Sequence, residues 1–153
     1  MMNKILISAL CAVFSLVAEE VHEFSGKHFV ASYLHCDPRA ICNLQELIEA
    51  MDQAVNASGA QVLEKKSYVF PPHGLTIVYL LAESHASLHT YPEFESCFID
   101  LFTCGNNCSS TSFDAALRAY LKPKEVNARL FLRNAETVEV PYDLANDPLY
   151  SLQ

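Results

Sequence analysis

Basic side chains are scarce in this sequence: ten Lys and Arg stand against 18 Asp and Glu, for a formal charge of −8. No basic run occurs, which counts against nucleic acid or an anionic membrane surface as a partner. Tryptophan is absent, so every large aromatic surface must come from Phe or Tyr. There is no low-complexity tract and no obvious internal repeat, and no apolar run reaches the roughly 20 residues that span a bilayer. The six cysteines, Cys11, Cys36, Cys42, Cys97, Cys104 and Cys108, lack the paired spacing of a zinc ribbon, so no metal is expected. Their even count permits disulfides in an exported chain. A chain this apolar needs no staples, however, and buried free thiols serve equally. The Gly-x-Ser-x-Gly elbow of the α/β-hydrolases is missing as well.

What remains is a chain of 153 residues, 51% hydrophobic and 18% charged, enough for one globular domain with a real core. Residues 1–24 stand apart. Ile5 to Ala18 is apolar and of signal-peptide length, read either as an export signal or as an N-terminal extension. The domain is expected over 25–133, and a polar tail over 134–153.

Lys27 to Leu34 reads as a strand, ended by Pro38. Asn43, with Glu46 three residues on, opens a helix whose apolar face carries Leu44, Leu47, Ile48, Met51, Ala54 and Val55. Gln61 to Phe70 and Leu75 to Ala82 are strands joined by the turn Pro71-Pro72-His73-Gly74, hence an antiparallel hairpin. Ser96 to Thr103 is a fourth strand. Ser112 is read as the cap of a second helix, and Val126 to Leu132 is a fifth strand. This order predicts an α+β, two-layer sandwich: an antiparallel β-sheet with two helices on one face. The uncovered face needs burial, and a second copy is the economical cover.

The chemistry concentrates in residues 82–93, Ala-Glu-Ser-His-Ala-Ser-Leu-His-Thr-Tyr-Pro-Glu, directly after the apolar strand. A Ser-His-acid hydrolase would need these groups to converge in space, which spacing does not show. Cys104, at a strand end beside Gly105, could act as a thiolate nucleophile or simply pack as a small apolar residue. A third chemistry is self-processing. The Ser84 hydroxyl attacks the Glu83 carbonyl, the ester eliminates to dehydroalanine, and hydrolysis leaves a pyruvoyl group. That route needs a donor to the oxyanion, for which Thr76 or Ser87 is available, and a base, for which His89 is available with His85 as its rival.

Residues 82–93, followed by Phe98-Ile99-Asp100-Leu101-Phe102-Thr103-Cys104-Gly105, resemble the signature of the prokaryotic-type, pyruvoyl-dependent S-adenosylmethionine decarboxylase proenzymes. Gly26-Lys27-His28, Cys36-Asp37-Pro38 and Phe70-Pro71 with Gly74 fit the same pattern, so the resemblance covers about residues 26–133. Two long motifs in order and at the right spacing are far more specific than a short pattern. The resemblance implies cleavage between Glu83 and Ser84 and a pyruvoyl cofactor made from Ser84. It implies His89 as the processing base, Thr76 as processing support and Cys104 as proton donor. Phe70 and Tyr91 would sandwich the adenine, and Glu93 would bind substrate.

The implied activity is decarboxylation of S-adenosylmethionine for spermidine synthesis, through a Schiff base on the pyruvoyl ketone, in a dimer of cleaved chains. A cytoplasmic location follows from such a role, with residues 5–18 as the argument for export. Each assignment has a plainer rival. Phe70 and Tyr91 could be core aromatics, Glu93 a solvated acid, and His89 or Asp100 structural.

Three features depart from the family pattern. Thr76 stands for the usual serine and Ile77 for the usual glycine. Tyr91 stands for tryptophan, which raises a pyruvoyl-dependent arginine or ornithine decarboxylase as an alternative. The apolar N-terminus is foreign to a cytosolic polyamine enzyme. An unprocessed, non-catalytic homologue is the third reading.

Overall fold

The computed structural model describes residues 24–104 and 107–142. The apolar N-terminal segment and the last eleven residues of the expected tail lie outside this range.

The strands are β1 (Gly26–Leu34), β2 (Val62–Phe70), β3 (Gly74–Leu81), β4 (Ser84–Tyr91), β5 (Ser96–Thr103), β6 (Glu125–Arg133) and β7 (Thr137–Val140). They form one sheet in the order β2-β3-β4-β5-β1-β6-β7, and every ladder is antiparallel. The helices are α1 (Pro38–Cys42), α2 (Leu44–Ala57) and α3 (Ser110–Leu121). The expected α+β, two-layer sandwich is the fold observed, with the helices packed on one face.

Period-two alternation sorts the strand residues between the layers. Phe29, Tyr33, Ile77, Tyr79, Leu88 and Ile99 are buried under the helices. Helix α2 meets them with Leu47, Ala50, Met51, Ala54 and Val55, and α3 with Phe113, Leu117 and Leu121, each set on one helical stripe. Burying each large apolar side chain contributes about 1.5–3 kcal/mol. Asp114 is buried as well. It accepts hydrogen bonds from Tyr33 and Tyr142 and pairs with Arg118, which ties α3 to β1 and to the segment after β7.

Among the described residues the opposite face carries no layer. Register brings Thr76, His89, Phe98 and Ser32 into one row across it, Val78, Ser87, Asp100 and Val30 into the next, and Leu80, His85, Phe102 and His28 into a third. Leu80 is 53% exposed and Phe98 51%. At one end Gly26 lets the sheet close up, since a Cβ there would stand 2.5 Å from the Phe102 ring.

Four details differ from the sequence reading. Residues 84–91, read as a site-bearing stretch, are a full strand. Its buried side is Ala86, Leu88 and Thr90, too small and too polar to stand out as apolar alternation. Asp37-Pro38 starts a short helix rather than only ending a strand, because Asp37 caps the Arg39 N–H at 2.9 Å and Pro38 suits the first helical turn. Helix α3 is capped by Ser109, not Ser112. Ser112 is the residue whose N–H the cap accepts, at 3.1 Å. Within the stretch read as a tail, Thr137–Val140 pairs with β6.

The five described cysteines are free. Cys36 and Cys97 share a hydrogen bond in the core, and that bond together with burial pushes the Cys97 thiol up.

Candidate active site

The Glu83–Ser84 peptide lies in the tight connection between β3 and β4. Three hydrogen bonds pin the chain just before it. The Ala82 N–H donates to the Gln61 carbonyl at 2.9 Å, and the Gln61 N–H to the Glu83 carboxylate at 3.0 Å. The Cys104 N–H donates to the Glu83 carbonyl at 2.9 Å. Ser84 itself takes φ +155°, a value side-chain-bearing residues rarely adopt and one that carries backbone strain. Its Oγ lies 3.2 Å from His85 Nδ1. The reacting end of the site thus holds a serine hydroxyl, a histidine nitrogen in contact with it, and a backbone donor on the carbonyl it would attack. The thiol-bearing residue Cys104 is half-buried beside them.

A second group of side chains gathers at the other end of β4. The Thr76 hydroxyl and His89 Nδ1 are hydrogen-bonded across β3 and β4. Rings then touch in sequence: Tyr68 with Phe70 at 4.7 Å between centroids, Phe70 with His89 at 5.6 Å, His89 with Tyr91 at 4.7 Å, and Tyr91 with Phe98 at 5.5 Å. Glu93 is exposed in the single 3-10 turn over Pro92–Phe94 that follows. The geometry suits a flat, cationic guest, because aromatic faces and a carboxylate both favour positive charge.

The two groups do not meet within one chain. Ser84 and His89 lie five residue steps apart along the strand, a distance of about 16 Å, and Thr76 is paired opposite His89. Ser87 is no closer to the Glu83 carbonyl in function, since its hydroxyl donates to Asp100 at 3.4 Å. The donor found on that carbonyl is the backbone of Cys104. A main-chain group carries no sequence signal, and only the strand register reveals it.

The family model for S-adenosylmethionine decarboxylase matches residues 27–134. The S-adenosylmethionine decarboxylase proenzyme of Methanococcus aeolicus is 37% identical over 98 residues, covering 64% of this chain and 84% of that protein. The Thermotoga maritima proenzyme of the same name is 36% identical over 102 residues, covering 67% and 78%. The crystal structure of the Aquifex aeolicus adenosylmethionine decarboxylase superposes with a TM-score of 0.65 at 30% identity, over 71% of this chain and 89% of that one.

The chain belongs to the S-adenosylmethionine decarboxylase family. Membership supports an enzyme of this decarboxylase type.

Within this family member one further side chain stands out on the open face. His28 lies 3.5 Å from Asp100 through Nε2 and 3.4 Å from Arg133 through Nδ1. It also stacks edge-on against Phe102 at 5.5 Å. Its sequence signal was the Gly-Lys-His motif, which gave it no role. Burial holds His28 below its ordinary value of 6.5, with Asp100 pulling the other way. The folded chain therefore binds this proton less readily than the unfolded chain, so His28 makes stability rise with pH through that region and fall on acidification. Thermal melts of wild type should show a lower Tm at about pH 5.5 than at about pH 7.5. His28→Asn should lessen that difference, and an unchanged pH profile in the variant would rule His28 out as a source.

Proposed function

We propose that this protein is a self-cleaving, pyruvoyl-dependent decarboxylase of S-adenosylmethionine, supplying the aminopropyl donor for spermidine synthesis. The observation that carries the proposal is the Glu83–Ser84 peptide, strained at Ser84 and hydrogen-bonded on its carbonyl by the Cys104 N–H. Those residues fit the making of a pyruvoyl group from Ser84. Once made, that ketone supplies an electron sink for the pair left behind by CO2. The chain's own residues do the rest. Phe70 and Tyr91 offer faces for the adenine and the sulfonium, Glu93 offers a carboxylate, and the Cys104 thiol returns a proton to the substrate carbon.

The working site is shared between two copies. Each chain holds the Ser84 group and the His89 group about 16 Å apart, on an open face with exposed Val78, Leu80 and Phe98. A two-fold axis between two such faces, running across the strands, sets the Ser84 end of one copy against the His89 end of the other. The same packing removes the apolar face from water. Tyr91, smaller than the indole usual there, keeps arginine and ornithine as rival substrates.

Intact mass and CO2 release test the proposal together. Wild type should appear as two fragments, the smaller blocked at its N-terminus, and should release CO2 from S-adenosylmethionine in preference to arginine or ornithine. A single uncut species of 17.1 kDa would rule out the pyruvoyl reading. Preferred release from arginine or ornithine would reassign the substrate.

A further inference from the structure

Self-cleavage, on the reading above, needs a base twice. The Ser84 hydroxyl must lose a proton to attack, and later the Ser84 α-carbon must lose one for elimination. We propose that His85 is the catalytic base of the first of these steps, acting on Ser84 within its own chain.

The contact is direct: Ser84 Oγ lies 3.2 Å from His85 Nδ1, within the reach a general base requires. Within one chain the other histidines of the open face do not compete, and the His89 end of a second copy is assigned to the later elimination. His89 is about 16 Å along the strand and is engaged by Thr76. His28 sits behind His85, with ring centroids 6.4 Å apart, and turns Nε2 toward Asp100. The His85 ring is held in place by Phe102, 5.7 Å away between centroids. His85 is otherwise exposed, so added imidazole can reach its place when the side chain is removed.

The step balances without any co-reactant. The Ser84 Oγ–H proton passes to His85 Nδ1 as Oγ bonds to the Glu83 carbonyl carbon. The carbonyl π pair moves onto the Glu83 oxygen, where the Cys104 N–H receives it at 2.9 Å. The intermediate collapses by breaking the bond from the Glu83 carbon to the Ser84 nitrogen. That nitrogen takes the proton back from His85, and Glu83 is left esterified to Ser84 Oγ. Strain at Ser84 favours this direction, because breaking the amide releases the backbone from φ +155°. Ester formation is then a property of one chain, whereas elimination needs the His89 end of a second copy.

Hydroxylamine separates the two steps, because at neutral pH it cuts esters and leaves amides intact. His89→Ala should accumulate an ester that hydroxylamine splits at Glu83. His85→Ala should stay whole with or without hydroxylamine, its cleavage slowed by about 10²-fold or more, and added imidazole should restore part of the rate. Should His85→Ala fail to fold, as read from its thermal melt, His85→Gln carries the same expectation. A folded His85 variant that cuts itself within a few-fold of wild type would overturn the proposal. So would one that yields as much hydroxylamine-sensitive ester as His89→Ala, or one that imidazole does not help. A wild-type chain that never cuts itself would overturn the self-cleavage reading, and this step with it.

Discussion

Ser84→Ala should remain a single chain of 17.1 kDa under conditions in which wild type is fully cut. Alanine keeps the strand and its pairing with Thr103 but has no oxygen to attack the Glu83 carbonyl. Among the described residues no other side-chain hydroxyl is hydrogen-bonded at that bond. Without cleavage there is no ketone to take up the electron pair, so decarboxylation should drop to background. A loss on the order of 10⁶-fold is typical when an enzyme loses its nucleophile. The variant should melt near the wild-type temperature, because Ser84 is only half-buried and its side chain packs no core. Mass spectrometry decides the matter. Cleavage of the alanine protein at the same bond would remove Ser84 from its role, and cleavage elsewhere would move the site.

The second large effect concerns the proposed sharing of the site between two copies. Ser84→Ala and His89→Ala chains should each be inactive alone. Co-expressed, they should recover about a quarter of wild-type turnover. A random mixture gives half mixed dimers, and a two-fold dimer has two sites. In the mixed dimer one site joins the intact Ser84 of one chain to the intact His89 of the other, and the second site lacks both. No recovery from a mixture shown to contain mixed dimers would mean that each chain carries its own complete site. In that case the open face would need another explanation.

The sequence made the covered parts of the fold easy to read. Strands β1, β3 and β5 and helices α2 and α3 bury large apolar residues at regular spacing, and that spacing is written in the residue order. Strand β4 escaped because its buried side, Ala86, Leu88 and Thr90, gains most of its fit from what covers it. Thr90 is buried with its hydroxyl satisfied, accepting the Leu75 N–H at 2.8 Å. Helix α1 was hidden because Asp37-Pro38 ends one element and begins the next.

The site divides in the same way. The candidate residues could be read from the motifs, but how far apart they stand could not. Ser84 and His89 are five apart in the chain, which would be under 8 Å along a helix and is about 16 Å along a strand. Missing the strand therefore meant missing the gap, which adds to the uncovered sheet face a second reason for proposing a second copy. The Cys104 N–H on the Glu83 carbonyl was beyond reach for a different reason, since every residue but proline has such a group.

The strand order has a consequence for what happens after the cut. The proposed cleavage at Glu83–Ser84 would assign β1, β2 and β3 to one fragment and β4, β5, β6 and β7 to the other. In the sheet, β1 lies between β5 and β6, so a strand of the first fragment is held on both edges by strands of the second. The first fragment's β3 is also laddered to the second fragment's β4. To come apart, the halves would have to strip three complete ladders and the helix layer above them. A molecule nicked there would stay woven together, losing one covalent link without gaining a way to separate. Activation by the proposed cut would need an architecture in which that break sets nothing free, and this strand order provides one.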